Sequence, residues 1–160
     1  MHFWQRLPTG SVPSSPRVAC GKITRKKHGA TFNEKVIAIG RKLACDPNHL
    51  MAVMAFETGE TFSLSVENAL GGGATGLIQL MPSTAKALKA TTAELAAMKA
   101  IDQLDYVERY FEMQVNRRPM PALIDLYMVV LLPAAVGKVD SHVLFRCSKK
   151  GREPRGSAMN

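Results

Sequence analysis

The chain has few cysteines, three among its 160 residues, and Cys20, Cys45 and Cys147 form no CxxC pair and have no nearby histidine at ligand spacing. That pattern argues against a zinc site, and an odd, sparse count suits a reducing compartment. Long apolar runs are missing too. The longest, Leu126 to Gly137, contains Pro133 and falls short of the roughly 20 residues a membrane-spanning helix needs. At the N-terminus Phe3 and Trp4 are broken at once by Gln5 and Arg6, so no signal h-region develops. Arg17-Val18-Ala19-Cys20 ends like a lipoprotein cleavage site but lacks that h-region as well. No internal repeat is visible, and strand-like alternation is nearly absent, which excludes repeat arrays and predicts a helical domain.

Acids are absent from residues 1–30, which carry six cations and a charge of +6. Residues 146–160 add +4, while residues 31–145 sum to −2, so the formal charge of +8 belongs to the two ends. Basic arms hold phosphates without reading sequence, yet basic ends are also the commonest form of solvated tail. With no aromatic stacking platform and no recognised motif beside that charge, specific nucleic-acid binding is not expected. A composition 46% hydrophobic and 21% charged is that of a globular chain, and the length fits one domain with tails.

Residues 1–30, with three prolines and no sustained periodicity, read as a disordered basic leader, and order is expected from Thr31. Thr31 and Glu34 have capping-box spacing, and Phe32, Val36, Ile37, Ile39 and Leu43 form an apolar stripe on a helix ending near Ala44. Asp46-Pro47 restarts a helix that continues through Leu50, Val53, Met54 and Phe56 to Thr58-Gly59. From Gly59 to Pro82, Gly, Ser and Asn predominate, which predicts a small irregular loop or β lobe. Helices resume after Ser83, after Thr91 with Glu94 in a second capping box, through Ile101, Leu104, Val107 and Phe111, and from Ile124 to Leu132.

Glu57 ends an otherwise apolar helix. Burial and the negative end of the helix dipole both disfavour its ionised form and raise its pKa, as a general acid requires. On helix position alone, a solvated helix-end acid is the commoner case. The surroundings shift the balance. Glu57-Thr58-Gly59-Glu60-Thr61-Phe62, a spacer, and then Gly73-Ala74-Thr75-Gly76-Leu77-Ile78-Gln79-Leu80-Met81-Pro82-Ser83-Thr84-Ala85 resemble the catalytic core of the soluble lytic transglycosylases. A plain loop before a helix start explains Pro82 and Ser83, but not the paired glycines together with Gln79. Read physically, Gly73 and Gly76 permit tight backbone beside a sugar, Gln79 offers amide hydrogen bonds, and Leu80 and Met81 offer apolar contact. Later stretches, Asp102 to Val107, Asp125 to Met128 and Pro133 to Lys138, look like the phage-type endolysin branch of that family, so the resemblance runs from about Phe32 to Phe145.

The resemblance implies a mainly α, lysozyme-like helical domain over residues 31–145, and the basic tail over 146–160 lies outside it. It implies Glu57 as the catalytic residue, Thr58, Gly76, Gln79, Met81 and Tyr127 as substrate-binding, no metal and no cofactor. Many members carry Ala-Tyr-Asn-Ala-Gly late in the domain, with its Tyr near the catalytic Glu; here the counterpart is Leu132-Pro133-Ala134-Ala135-Val136-Gly137. Tyr127 is the substitute, a core or interface role being the equal alternative. Hydrolases generally use two carboxylates, and Glu60 and Glu67 read as solvated loop acids, so a single-acid transglycosylase acting on peptidoglycan glycan strands is the expectation. The alternatives are a hydrolytic muramidase of goose-type-like mechanism and a truncated, catalytically silent wall-binding protein. A monomer without a membrane span is expected, cytoplasmic until released to the wall, or virion-associated.

Overall fold

The computed structural model describes residues 21–65, 72–115, 118–138 and 143. Within them lie helices α1 (Gly21–His28), α2 (Ala30–Lys42), α3 (Pro47–Glu57), α4 (Pro82–Ala87), α5 (Thr92–Ala97), α6 (Ala100–Val115) and α7 (Leu123–Leu131), followed by a single 3-10 turn, Pro133–Ala135. Among the described residues the β pairing is one isolated antiparallel bridge, Thr75 with Leu80. The fold is mainly α, as the sequence predicts, with an irregular segment between α3 and α4. Met1 to Cys20 and the basic tail at 146–160 lie outside the described residues.

The leader does not extend to residue 30. Gly21–His28 is helical and packs on α2, with the buried Thr24 hydroxyl donating to Asn33 Oδ1 at 2.6 Å. Only Gly29 separates the two helices, and its φ of +86° turns the chain, so α2 begins at Ala30. Thr31 and Glu34 therefore fall inside the helix, and no side chain caps its start. The apolar stripe is as read: Phe32, Val36, Ile39 and Leu43 are buried, with Ile37 half-buried beside them. Lys35 with Asp105 and Lys42 with Glu108 tie α2 to α6 at the surface, where such pairs contribute little.

Helix α3 is the interior element. Leu50, Met51, Val53, Met54 and Ala55 are all buried, and the helix packs against α2 on one side and α7 on another. A helix apolar on nearly every side has no face to give to water and is stable only when covered. Its start is fixed by Asp46, whose carboxylate accepts from the Asn48 amide at 2.8 Å, with Pro47 in the first turn. Its end is a Schellman arrangement, in which the Gly59 amide donates to Phe56 O at 3.2 Å and the Glu60 amide to Ala55 O at 2.6 Å. Gly59 supplies the left-handed φ of +56° that this stop needs.

The remaining helices form the outer wall. Met81 stands at the N-cap of α4 with Pro82 in its first turn, two residues ahead of the predicted start after Ser83. The Thr91–Glu94 capping box is present, the Thr91 hydroxyl accepting from the Glu94 amide and the Glu94 carboxylate from the Thr91 amide at 2.7 Å. α6 buries Leu104, Val107 and Phe111 and packs against α2 and α7. α7 buries Leu126 and Val129 toward α3 and leaves Ile124 and Leu131 exposed. Among the described residues, no helix is long and apolar enough to cross a membrane.

Candidate active site

Glu57 is the last residue of α3 and is half-buried. Removal from water raises its pKa above the ordinary glutamate value. Two tyrosines share its surroundings. Tyr110 of α6 is 5% exposed, donates its hydroxyl to Val129 O at 2.8 Å, and has its pKa pushed to about 12 by burial and then by the Glu57 charge. Tyr127 of α7 is half-buried, and burial followed by the same charge raises its pKa as well. Both phenols stay protonated at neutral pH. Of the two, Tyr110 spends its proton on the backbone of α7. Phe56 stands beside this group, 67% exposed, with its ring 5.2 Å from that of Tyr127 and perpendicular to it at 89°.

The segment after Glu57 is strained and clamped. Gly59, Glu60 and Phe62 all have left-handed φ, although Phe62 is wholly buried. A bulky residue in that region costs energy and persists only where its neighbours hold it. Here the Thr58 hydroxyl accepts from the Phe62 amide at 3.0 Å, the Thr61 hydroxyl donates to Thr58 O at 2.6 Å, and two residues of α1 close the loop from outside. Lys27 Nζ donates to Thr61 O at 2.7 Å, and His28 Nε2 bonds Phe62 O at 2.8 Å.

Residues 75–80 form a tight hairpin. Thr75 and Leu80 exchange both backbone hydrogen bonds, and the turn between them buries Leu77 and Ile78. Gln103 of α6 fastens this turn. Its side chain is 1% exposed, with Oε1 accepting from the Leu77 amide and Nε2 donating to Leu95 O, both at 2.8 Å. Nε2 also reaches Leu64 O, as does the Thr75 hydroxyl, both at 3.5 Å, which couples the hairpin to the segment following Glu57. Gln79, at the hairpin's far corner, has φ of 50° and donates its amide to Gly76 O at 3.1 Å. Met81 follows it and is 46% exposed, whereas Leu80 is core.

Tyr127 meets Phe56, the residue before Glu57, and both Tyr127 and Tyr110 feel the Glu57 charge. Gln79 lies on a hairpin tied to the segment after Glu57 through Leu64, and Met81 just beyond it at the start of α4. Two expectations are corrected. Thr58 does not face substrate: it is 2% exposed, and its hydroxyl is engaged in donating to Met54 O at 2.7 Å while accepting from Phe62. Nor is Gly76 a sugar-facing glycine, since it is buried with φ of +87° and the group pressed against it is the Gln103 amide of its own chain. Glu60 is exposed, and Glu67 lies outside the described residues.

Sequence reading missed Tyr110, Gln103 and His28. The first two sit at core positions of an ordinary amphipathic helix, where nothing local distinguishes a structural amide from any other polar residue. Burial and the charge of Asp46 push the Cys45 thiol up to about 11, away from the range of a reactive thiolate. The described residues hold no group of three or more His, Cys, Asp or Glu side chains able to bind a metal ion. Comparison with family models, curated proteins and solved structures returns no match.

Proposed function

We propose that this chain is a peptidoglycan lytic transglycosylase with a lysozyme-like domain. The reading is carried by Glu57, a half-buried carboxylic acid at the end of an apolar helix, whose pKa burial raises above the ordinary glutamate value. A raised pKa suits a carboxylic acid to donate its proton to a leaving oxygen. In the proposed reaction the Glu57 proton goes to the oxygen linking N-acetylmuramic acid to N-acetylglucosamine. The bond from the muramyl anomeric carbon to that oxygen breaks, and an oxocarbenium-like state develops. The Glu57 carboxylate then removes the proton from the muramyl 6-hydroxyl as its oxygen attacks the anomeric carbon. A 1,6-anhydromuramyl end results, and Glu57 regains its proton.

The sequence resemblance supports this reading through Glu57, Gln79 and the hairpin after Gly73. The late-domain tyrosine of the family, missing from residues 132–137, has a stand-in in Tyr127. Its phenol, unlike that of Tyr110, is not drawn to the Val129 carbonyl. The test is release of soluble fragments from purified peptidoglycan sacculi. Wild-type protein is expected to release them and Glu57→Gln to release none, with a cooperative thermal melt showing that the variant is folded. Equal release by both removes Glu57 from the chemistry.

A further inference from the structure

We infer that Phe56 is a sugar-stacking residue, its open ring face receiving a neutral N-acetylhexosamine pyranose next to the Glu57 carboxyl; this rests on the glycan-cleaving reading above and names a contact for it. The first observation is exposure. Phe56 precedes the acid directly and is 67% exposed, although Val53, Met54 and Ala55 before it are buried. An apolar ring left in water beside a candidate catalytic group gains free energy when a ligand covers it.

The second observation is the ring's geometry. Phe56 meets Tyr127 at 5.2 Å and 89°. In a perpendicular pair one ring presents its edge, so whichever role Phe56 takes, at least one of its faces is not covered by Tyr127. A flat, uncharged ring matches the C–H face of a pyranose, which is apolar while its hydroxyls and acetamido group point outward from the ring edge. Phe56 and Glu57 are consecutive at the end of α3, so the ring pair and the acid lie in one part of the fold.

The experiment is calorimetric titration of chitopentaose into Glu57→Gln protein, which removes turnover from the measurement. In that background Phe56→Ala is expected to weaken binding about tenfold, and Phe56→Trp to hold it within about twofold. Phe56→Leu keeps apolar bulk without a flat ring and is expected to lose nearly as much as alanine, while Met113→Ala, at an exposed methionine of α6, leaves affinity unchanged. Unaltered affinity in Phe56→Ala, full affinity in Phe56→Leu, or no binding of chitopentaose by the Glu57→Gln parent each overturns the inference. Thermal melts of every variant confirm folding. If sacculi are cleaved equally with and without Glu57 but Phe56→Ala still weakens saccharide binding, the catalytic reading fails and the stacking site stands.

Discussion

Gly76 and Gln103 are pressed together so closely that a Cβ on residue 76 would lie 2.7 Å from Gln103 Oε1 and 2.8 Å from Nε2. The contact fixes the hairpin that carries Gln79, because the same Oε1 accepts from the neighbouring Leu77 amide. Gly76→Ala adds both this clash and the strain of an L-residue at φ of +87°, and is expected to cost about 2–4 kcal/mol. Gln103→Ala strands the buried Leu77 amide and is expected to cost about 1–3 kcal/mol. Urea unfolding of the double variant should show less than the sum, since removing the amide makes room for the Cβ. Strict additivity would mean that the two residues are not coupled.

Thr58 should behave as a structural residue. Thr58→Val loses the hydroxyl that links Met54 O to the Phe62 amide and is expected to lower stability by about 1–3 kcal/mol. Thr58→Ser keeps the hydroxyl, loses one buried methyl, and is expected to stay within about 1 kcal/mol of wild type. Fragment release by Thr58→Ser should match wild type. A large loss of release in a serine variant that melts normally would place Thr58 at the substrate after all.

His28 and Lys27 bring α1 into the site's support. His28→Ala removes the bond to Phe62 O and the ring contact with Phe32, 5.1 Å away, and is expected to cost about 1 kcal/mol. Hydrogen exchange should report it more directly, with the amides of residues 58–63 exchanging faster while those in the middle of α6 keep their protection. Unchanged exchange in that loop would show that α1 does not hold it.

The raised pKa of Glu57 gives two opposite trends to look for. A buried carboxyl binds its proton more tightly in the folded chain than in the unfolded one, so between the unfolded and folded pKa values the folded state holds more protons and stability falls as pH rises. Glu57→Gln removes that slope, so the variant is expected to be more stable than wild type on the alkaline side, by denaturant midpoints measured across pH. Cleavage needs the protonated acid and should likewise decline as pH rises through the raised value. A stability difference between wild type and Glu57→Gln that does not change with pH would contradict the burial.

Local signals made much of the fold legible. Asp46-Pro47 and Thr58-Gly59 bracket α3, and Thr91 with Glu94 starts α5, because caps depend on residues two or three apart. Helix α1 was not legible, since its run of cations resembles a solvated tail and its hold on the protein comes from Thr24, Lys27 and His28 reaching residues distant in sequence. The site divides in the same way. Glu57 at the end of an apolar helix was readable from α3 alone. Thr58 and Gly76 were misassigned because sequence shows a hydroxyl or a missing side chain but not the partner that occupies it, and for Gly76 that partner lies on α6. Tyr110 was hidden by its place in a core stripe.

The most direct test of Glu57 as the acid of a transglycosylase is mass spectrometry of the muropeptides released from purified sacculi. Wild-type protein is expected to yield fragments ending in 1,6-anhydromuramic acid, each lighter by one water than the hydrolytic product, and Glu57→Gln to yield none. Fragments with reducing ends, or anhydro fragments undiminished in Glu57→Gln, would contradict it.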